Sequence, residues 1–261
     1  MLKKWLSVLL AVMMVLGTAA AFAGDADSDL AYVQGKGALV VGITDFAPMD
    51  YLQDGEWIGF DADLAKAFAE SIGVKVEFVE IDWDNKLLEL DNKSIDCIWN
   101  GMTLKPEITE ATSCSKPYAN NAQVIVVPQS VADQYQTAEA AKGLQFAVEA
   151  GSAGQDQADA YGFIYTPVST QADAVMEVAA GASEAAIIDA LMAAAMIGEG
   201  TSYESLTYTA ALNSEEYGVA FRLNSDLADL LNAFFVSAWQ DGTLMALAET
   251  YGVSAAIIPQ E

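Results

Sequence analysis

The chain has 261 residues, with 37 Asp and Glu against 11 Lys and Arg, no His and two Cys, for a formal charge of −26. A field of that sign repels nucleic acid and anionic lipid and suits a solvated surface. Without histidine, neither a His-based catalytic triad nor a usual His-ligated zinc site can be assembled.

Taken in order, Met1 to Ala23 places Lys3 and Lys4 ahead of an apolar segment from Trp5 to Leu16, then small residues ending Ala21-Phe22-Ala23. This is the pattern of a secretory signal peptide with an A-x-A cleavage site, and the apolar segment is short for a membrane span. No Cys stands at the cleavage site, so a lipid anchor is not supported and the mature chain is expected in the periplasm or outside the cell. The 238 residues after Ala23 carry −28 once Lys3 and Lys4 are removed, and they suffice for one large domain or two lobes. Cys97 and Cys114 are too few for a disulfide scaffold. They are either a single bridge in an exported protein or two buried thiols.

Gly24 to Lys36 is polar and acidic and reads as a flexible leader. Ala38 to Thr44 is a buried strand by its Val and Ile run, and Pro48 ends the extension that follows. After a polar turn over residues 53–56, Asp61 is placed to cap a helix from Ala62 to Ser71, whose Leu64, Ala65, Phe68 and Ile72 share one face and which Gly73 ends. Val74 to Ile81 alternates as a strand, and Asp84 to Leu90 is a short helix. Ile95 to Trp99 is a short apolar strand; Asn100, Gly101 and Thr103 follow it as a turn, and Pro106 and Glu107 suit the first turn of a helix. Small and hydroxyl residues between a strand end and a helix start form a ligand-binding edge in open α/β sheets.

Asn121 to Val127 is the next strand, closed by Pro128. Strands at Leu144–Val148, Phe163–Tyr165 and Ala185–Ile188 then alternate with helices at Ser152–Ala160, Ala172–Ala180 and Ala190–Ile197. Gly218 to Arg222 is a further strand, and Asp226–Trp239 and Thr243–Tyr251 are amphipathic helices. The βα order predicts two α/β units with parallel sheets flanked by helices. From Pro128 to Tyr217, thirteen acidic residues stand against Lys142 alone, so this unit brings almost no cationic side chain to anything it faces.

The stretch from Ser94 to Tyr118, with GEWIGFDADLAKAFAESIG before it, AVEAGSAGQ and IIDALMAAAMIG after it, and EYGVAFRLNSDLADLLNAFF at the end, resembles the extracytoplasmic solute-binding proteins of polar amino-acid ABC transporters, family 3. The resemblance runs in register over nearly the whole chain after residue 37. It implies the two-lobed type II periplasmic binding protein fold: lobe one over residues 37–126 and 218–261, lobe two over 127–217, each a mainly parallel sheet, joined by a two-strand hinge that closes the cleft on a ligand. It also implies a monomer that delivers a small polar solute, an amino acid or amine, to a membrane permease with cytoplasmic ATPases, and it calls for no cofactor, metal or nucleic acid.

The same resemblance assigns candidate site residues. Phe46 falls where an aromatic ring stacks on the ligand, or is a core Phe; Trp57 is a second wall, or a half-buried hairpin Trp. Asn100, Gly101 and Thr103 match the strand end that meets the ligand's ammonium and carboxylate. Ser152, in Gly151-Ser152-Ala153-Gly154, matches the loop that offers N–H groups and a hydroxyl to a carboxylate, or is an ordinary N-cap. Asp189 ends an apolar strand and either binds the ligand's amino group or caps the next helix.

One departure stands out. Where the family has an Arg that clamps the ligand carboxylate in a bidentate pair, this chain has Ile108, and Lys105, one turn earlier, is the nearest substitute. Loss of such a pair costs roughly 1.5–3 kcal/mol, ten to a hundredfold in affinity. The ligand is then an amino acid held by Lys105 and backbone N–H groups, or an amine or neutral solute with no carboxylate. Two alternatives share the fold: a cyclohexadienyl or arogenate dehydratase-like enzyme with Glu149 or Asp189 as the acid, and a ligand-sensing domain.

Overall fold

The computed structural model describes residues 28–261; the predicted signal peptide and the start of the leader lie outside them. Helix α1 (Asp29–Lys36) occupies most of the segment expected to be flexible. Ser28 caps it by accepting the Ala31 N–H, and Gly37, left-handed at φ 79°, closes it. The acidic residues that read as solvated have partners here. Asp29 pairs with Arg222 at 2.9 Å, and Asp226 accepts from both Ser28 Oγ and the Leu30 N–H.

Strand β1 (Ala38–Ile43) is followed by a hairpin of β2 (Tyr51–Gln53) and β3 (Glu56–Ile58), which turns at Asp54-Gly55, both at positive φ. Helix α2 (Phe60–Ser71) buries Leu64, Ala65 and Phe68 as its periodicity requires. Asp61 is not its cap: Gly59 holds that position, and the Asp61 carboxylate turns inward, accepting the Gly101 N–H and the Tyr118 hydroxyl. Strand β4 (Lys75–Glu80), a 3-10 turn over Trp83–Asn85, helix α3 (Lys86–Asp91) and strand β5 (Cys97–Thr103) come next. Asn100, Gly101 and Thr103 lie inside β5 rather than in a turn after it, because a later strand pairs with it as far as Thr103. Helix α4 (Pro106–Ala111) opens on Pro106, and β6 (Ser113–Cys114) and β7 (Ala119–Asn121) follow.

The second unit runs β8 (Gln123–Pro128), α5 (Ala138–Ala141), β9 (Gln145–Glu149), α6 (Ala153–Tyr161), β10 (Ile164–Val168), α7 (Gln171–Ala180), β11 (Ala185–Asp189), α8 (Ala190–Met196) and β12 (Leu206–Ala211). β12 carries no clear apolar alternation, and the sequence reading lacks it. The chain then enters β13 (Glu215–Phe221), α9 (Leu227–Gln240) and α10 (Thr243–Thr250).

One sheet has the order β4-β1-β5-β13-β6, with β7 also on β13; the other has the order β10-β9-β11-β8-β12. Neither is mainly parallel. The βα strands pair in parallel, but β13 runs against β5, β6 and β7, and β8 against β11 and β12. The antiparallel half of each sheet is thus built on a strand beside a crossing between the sheets. The chain passes from one sheet to the other between β7 and β8, and back between β12 and β13. Cys97 and Cys114 are both free thiols. β13 lies between their strands, which separates them by about two strand spacings, roughly 9–10 Å, beyond what a disulfide spans. Among the described residues no helix is long and apolar enough to cross a membrane.

Candidate functional site

The carboxyl ends of β1 and β5 in one lobe face the ends of β9 and β11 in the other across a cleft of about 390 Å³, its open mouth included. That is the location expected for ligands of open α/β sheets, and the space enclosed between the lobes is only about 20 Å³, so a solute enters as they part.

On the first lobe, Phe46 is buried and lines the cleft while also packing edge-on against Tyr217. Gly101, at φ 54°, lies under that ring: a Cβ there would stand 2.3 Å from Phe46 Cε1. Asn100 also lines the cleft, but its amide is spent within the lobe. It accepts from the Thr44 N–H and hydroxyl, and donates to Thr44 O and Asp50 Oδ2. Thr103 is half-buried at the rim. Ile108 is fully buried with Trp83 and Met102, an apolar wall where the family's arginine was expected. Trp57 is not at the cleft. It lies on the β2–β3 hairpin, with its ring against the core and its carbonyl accepting from Lys66.

Two lysines cross from this lobe toward the other. Lys105, at the start of α4, pairs with Asp156 of α6 at 2.7 Å and with Glu107 at 3.3 Å. Burial opposes its charge, yet Asp156 and Glu107 hold its pKa above the ordinary lysine value. It lines the cleft and bridges the lobes, its charge already engaged by Asp156 and Glu107. Lys86, which the sequence reading did not include, is buried on α3. It lies 4.9 Å from the centre of the Trp83 ring and donates to Trp83 O and, across the cleft, to Gly151 O at 2.9 Å. Burial, then the nearby Lys105 charge, brings its pKa down to about 8. Its short helix carried no signal that it would meet a loop 65 residues later.

The second lobe supplies the carboxylates. Ser152 is the N-cap of α6: its Oγ accepts the Gln155 N–H and donates to Glu149 O, so the ordinary capping account holds. Asp189 is buried at the end of β11 and makes no side-chain cap to α8. Its carboxylate accepts from Asn121 Nδ2 and the Tyr217 hydroxyl at one oxygen, and from Gln171 Nε2 at the other. The partner expected to be a ligand amine is thus a set of protein donors. Burial, then the Glu215 charge, raises its pKa to about 7. Glu149 ends β9 almost fully buried. Burial and the Asp189 charge push it up to about 8, and its Oε1 has no hydrogen-bond partner. Gln171 and Trp83 complete the lining and are, like Thr44, absent from the sequence-based set.

A cleft between two α/β lobes, entered by strand ends and lined by opposite charges from either side, defines a protein that encloses a small polar solute. The chain belongs to the bacterial extracellular solute-binding proteins, family 3, whose family model matches residues 39–254. It is 27% identical to the arginine-binding extracellular protein ArtP of Bacillus subtilis over 257 residues, 96% of this chain and 98% of that one. Among solved structures it is similar to a mutant of ArgBP from T. maritima, with a TM-score of 0.80 at 29% identity, covering 85% of this chain and 98% of that one. It is also similar to the ancestral amino acid-binding protein AncCDT-1, a precursor of cyclohexadienyl dehydratase, with a TM-score of 0.79 at 29% identity, covering 86% and 99%.

Proposed function

We propose that the protein captures an amino acid in the interlobe cleft outside the cytoplasm and presents the closed form to a membrane permease driven by cytoplasmic ATPases, acting as a monomer after removal of its signal peptide. The observation that carries this reading is the separation of charge across the cleft: Lys86 on one wall, Asp189 and Glu149 on the other. An α-carboxylate suits the lysine side, together with N–H groups near the start of α6, and an ammonium suits the carboxylates. Lys86 takes the part first given to Lys105, whose charge is engaged by Asp156. The lobes are residues up to Asn121 with those from Glu215 onward, and the span between Gln123 and Leu212. Closure rotates them about Ala122 and residues 213–214. A hydrogen-bond cluster sits at that hinge: Asn121 Nδ2 donates to Asp189 and Glu215, and Gln123 Nε2 and Asn213 Nδ2 donate to Glu215. Ligand contact at Asp189 therefore bears directly on the crossing strands.

A thermal-shift screen against amino acids, amines, polyamines and neutral solutes tests the reading, since a ligand at a hundred times Kd stabilises by about 2.7 kcal/mol. Stabilisation by an α-amino acid that vanishes on amidation of its carboxylate supports it; stabilisation confined to neutral solutes overturns it. The dehydratase reading rests on Glu149 keeping its proton near neutral pH, as a general acid must. Release of product from arogenate or prephenate would establish that activity, and its absence leaves capture alone.

A further inference from the structure

We infer that Glu149 is the counter-ion for a second cationic group on the ligand, so that the cleft selects dibasic amino acids over neutral ones. This rests on the amino-acid reading above and narrows it. Glu149 is 2% exposed, stands at the cleft-facing end of β9, and leaves Oε1 without a donor. A buried carboxylate so placed loses the stabilisation of water without replacement unless a donor arrives. Gln171 lies within reach of the Glu149 carboxyl, but no neighbouring side chain gives Oε1 a donor. Lys86 is not within ion-pair distance of it and gives hydrogen bonds to Trp83 O and Gly151 O. Gln171 Nε2 donates to Asp189, and Lys105 pairs with Asp156 and Glu107. The Ser152 hydroxyl meets the Glu149 backbone carbonyl, not its side chain.

Charge complementarity points the same way. With Lys105 engaged by Asp156, the described residues that line the cleft set the Lys86 charge on one wall against two acid groups, Asp189 and Glu149, on the other. A neutral zwitterionic amino acid answers Lys86 and Asp189 and leaves Glu149 protonated with Oε1 unpartnered, whereas one more ammonium or guanidinium on the side chain can pair with Glu149 once it ionises. The charged groups that act on Glu149 are Asp189 on β11, Lys86 on α3 and Asp173 on α7. Burial, then the Asp189 charge, raises the Glu149 pKa to about 8 in the free protein. Pairing with a ligand cation therefore releases a proton to solvent.

The test is calorimetric titration of the full mature chain with L-ornithine and with L-norvaline, which has the same carbon chain without the terminal amine. The wild type is expected to bind ornithine at least tenfold more tightly. In Glu149→Gln, ornithine affinity falls ten to a hundredfold while norvaline changes less than threefold, so the discrimination disappears. A second readout needs no variant: titrations at pH 7 in buffers of different ionisation enthalpy should show more proton release per ornithine than per norvaline. Retention of the ornithine preference by Glu149→Gln overturns this inference while leaving amino-acid capture standing. Binding of neither amino acid by folded wild type overturns both.

Discussion

Gly101 bears the closest steric constraint at the cleft. Its φ of 54° and the 2.3 Å left between a Cβ and the Phe46 ring mean that Gly101→Ala must both strain the backbone and displace the ring. A loss of about 1–3 kcal/mol in urea unfolding is expected, with weaker ligand binding because the displaced ring moves within the cleft lining; unchanged stability would show that the ring has room to yield. The two lysines can be separated in the same way. Lys105→Met removes a partly exposed ion pair and should alter affinity only a few fold. Lys86→Met removes a buried charge facing the ligand carboxylate and should cost at least tenfold for an α-amino acid but little for its amide, measured by calorimetry. Equal losses in the two variants would return Lys105 to the role first assigned to it. Gly101, Ser152 and Asp189 were legible in the sequence because a strand end, a helix start and a carboxylate in an apolar run are local signals. Lys86 was not, since its importance comes from Gly151 O, which only the folded chain brings to it.

At the level of elements, α1 is the part of the fold that the sequence concealed. A short polar segment looks unstructured when its charges are read as solvated, and its partners Arg222 and Asp226 lie 193 to 198 residues away. The guanidinium donates to Asp29 Oδ1 at 3.0 Å, to Ile95 O and to Asp96 Oδ1, while Lys36 closes the cluster on Asp96 at 2.5 Å. Helix α1 is thereby tied to the strand end of β13 and to the approach to β5. Arg222→Met leaves Asp29 and Asp96 buried with less compensation, and the loss should be about 3–5 kcal/mol. Urea denaturation measures it, and hydrogen exchange should accelerate first in α1, whose Asp29 is a direct partner of the lost guanidinium. If exchange rises uniformly over the first sheet instead, α1 is not the element that the cluster secures. The remaining elements were legible because the βα repeats alternate apolar strands with capped helices. The mixed sheets were not, because strand direction depends on partners far away in sequence, as in β13 against β5.

Over the whole molecule, buried acids make stability depend on pH in a direction opposite to that of a protein held by ionised carboxylates. Glu149 is raised to about 8, Asp189 to about 7 and Asp61 to about 6, in each case chiefly by burial, and Asp50 is raised well above its ordinary value by burial and the neighbouring Asp61. A carboxyl whose pKa is higher in the folded state favours the fold while protonated. Its contribution is full below the ordinary carboxylate range and is lost as pH rises through the folded value. For these groups the window runs from about pH 4 to about pH 8. Lys86, lowered to about 8, acts above that window, because below pH 8 it is charged in both states and its effect is constant. The formal charge of −26 adds self-repulsion that also relaxes toward acid. The free protein should therefore melt several degrees higher at pH 5.5 than at pH 8, as followed by circular dichroism. Glu149→Gln should flatten the upper part of that slope, and a saturating cationic ligand should do the same by supplying the charge that deprotonated Glu149 lacks. A melting temperature that rises from pH 5.5 to 8 in the free protein would mean that the cleft carboxylates are ionised at neutral pH without help, and that their neighbours, not a ligand, already answer their charge.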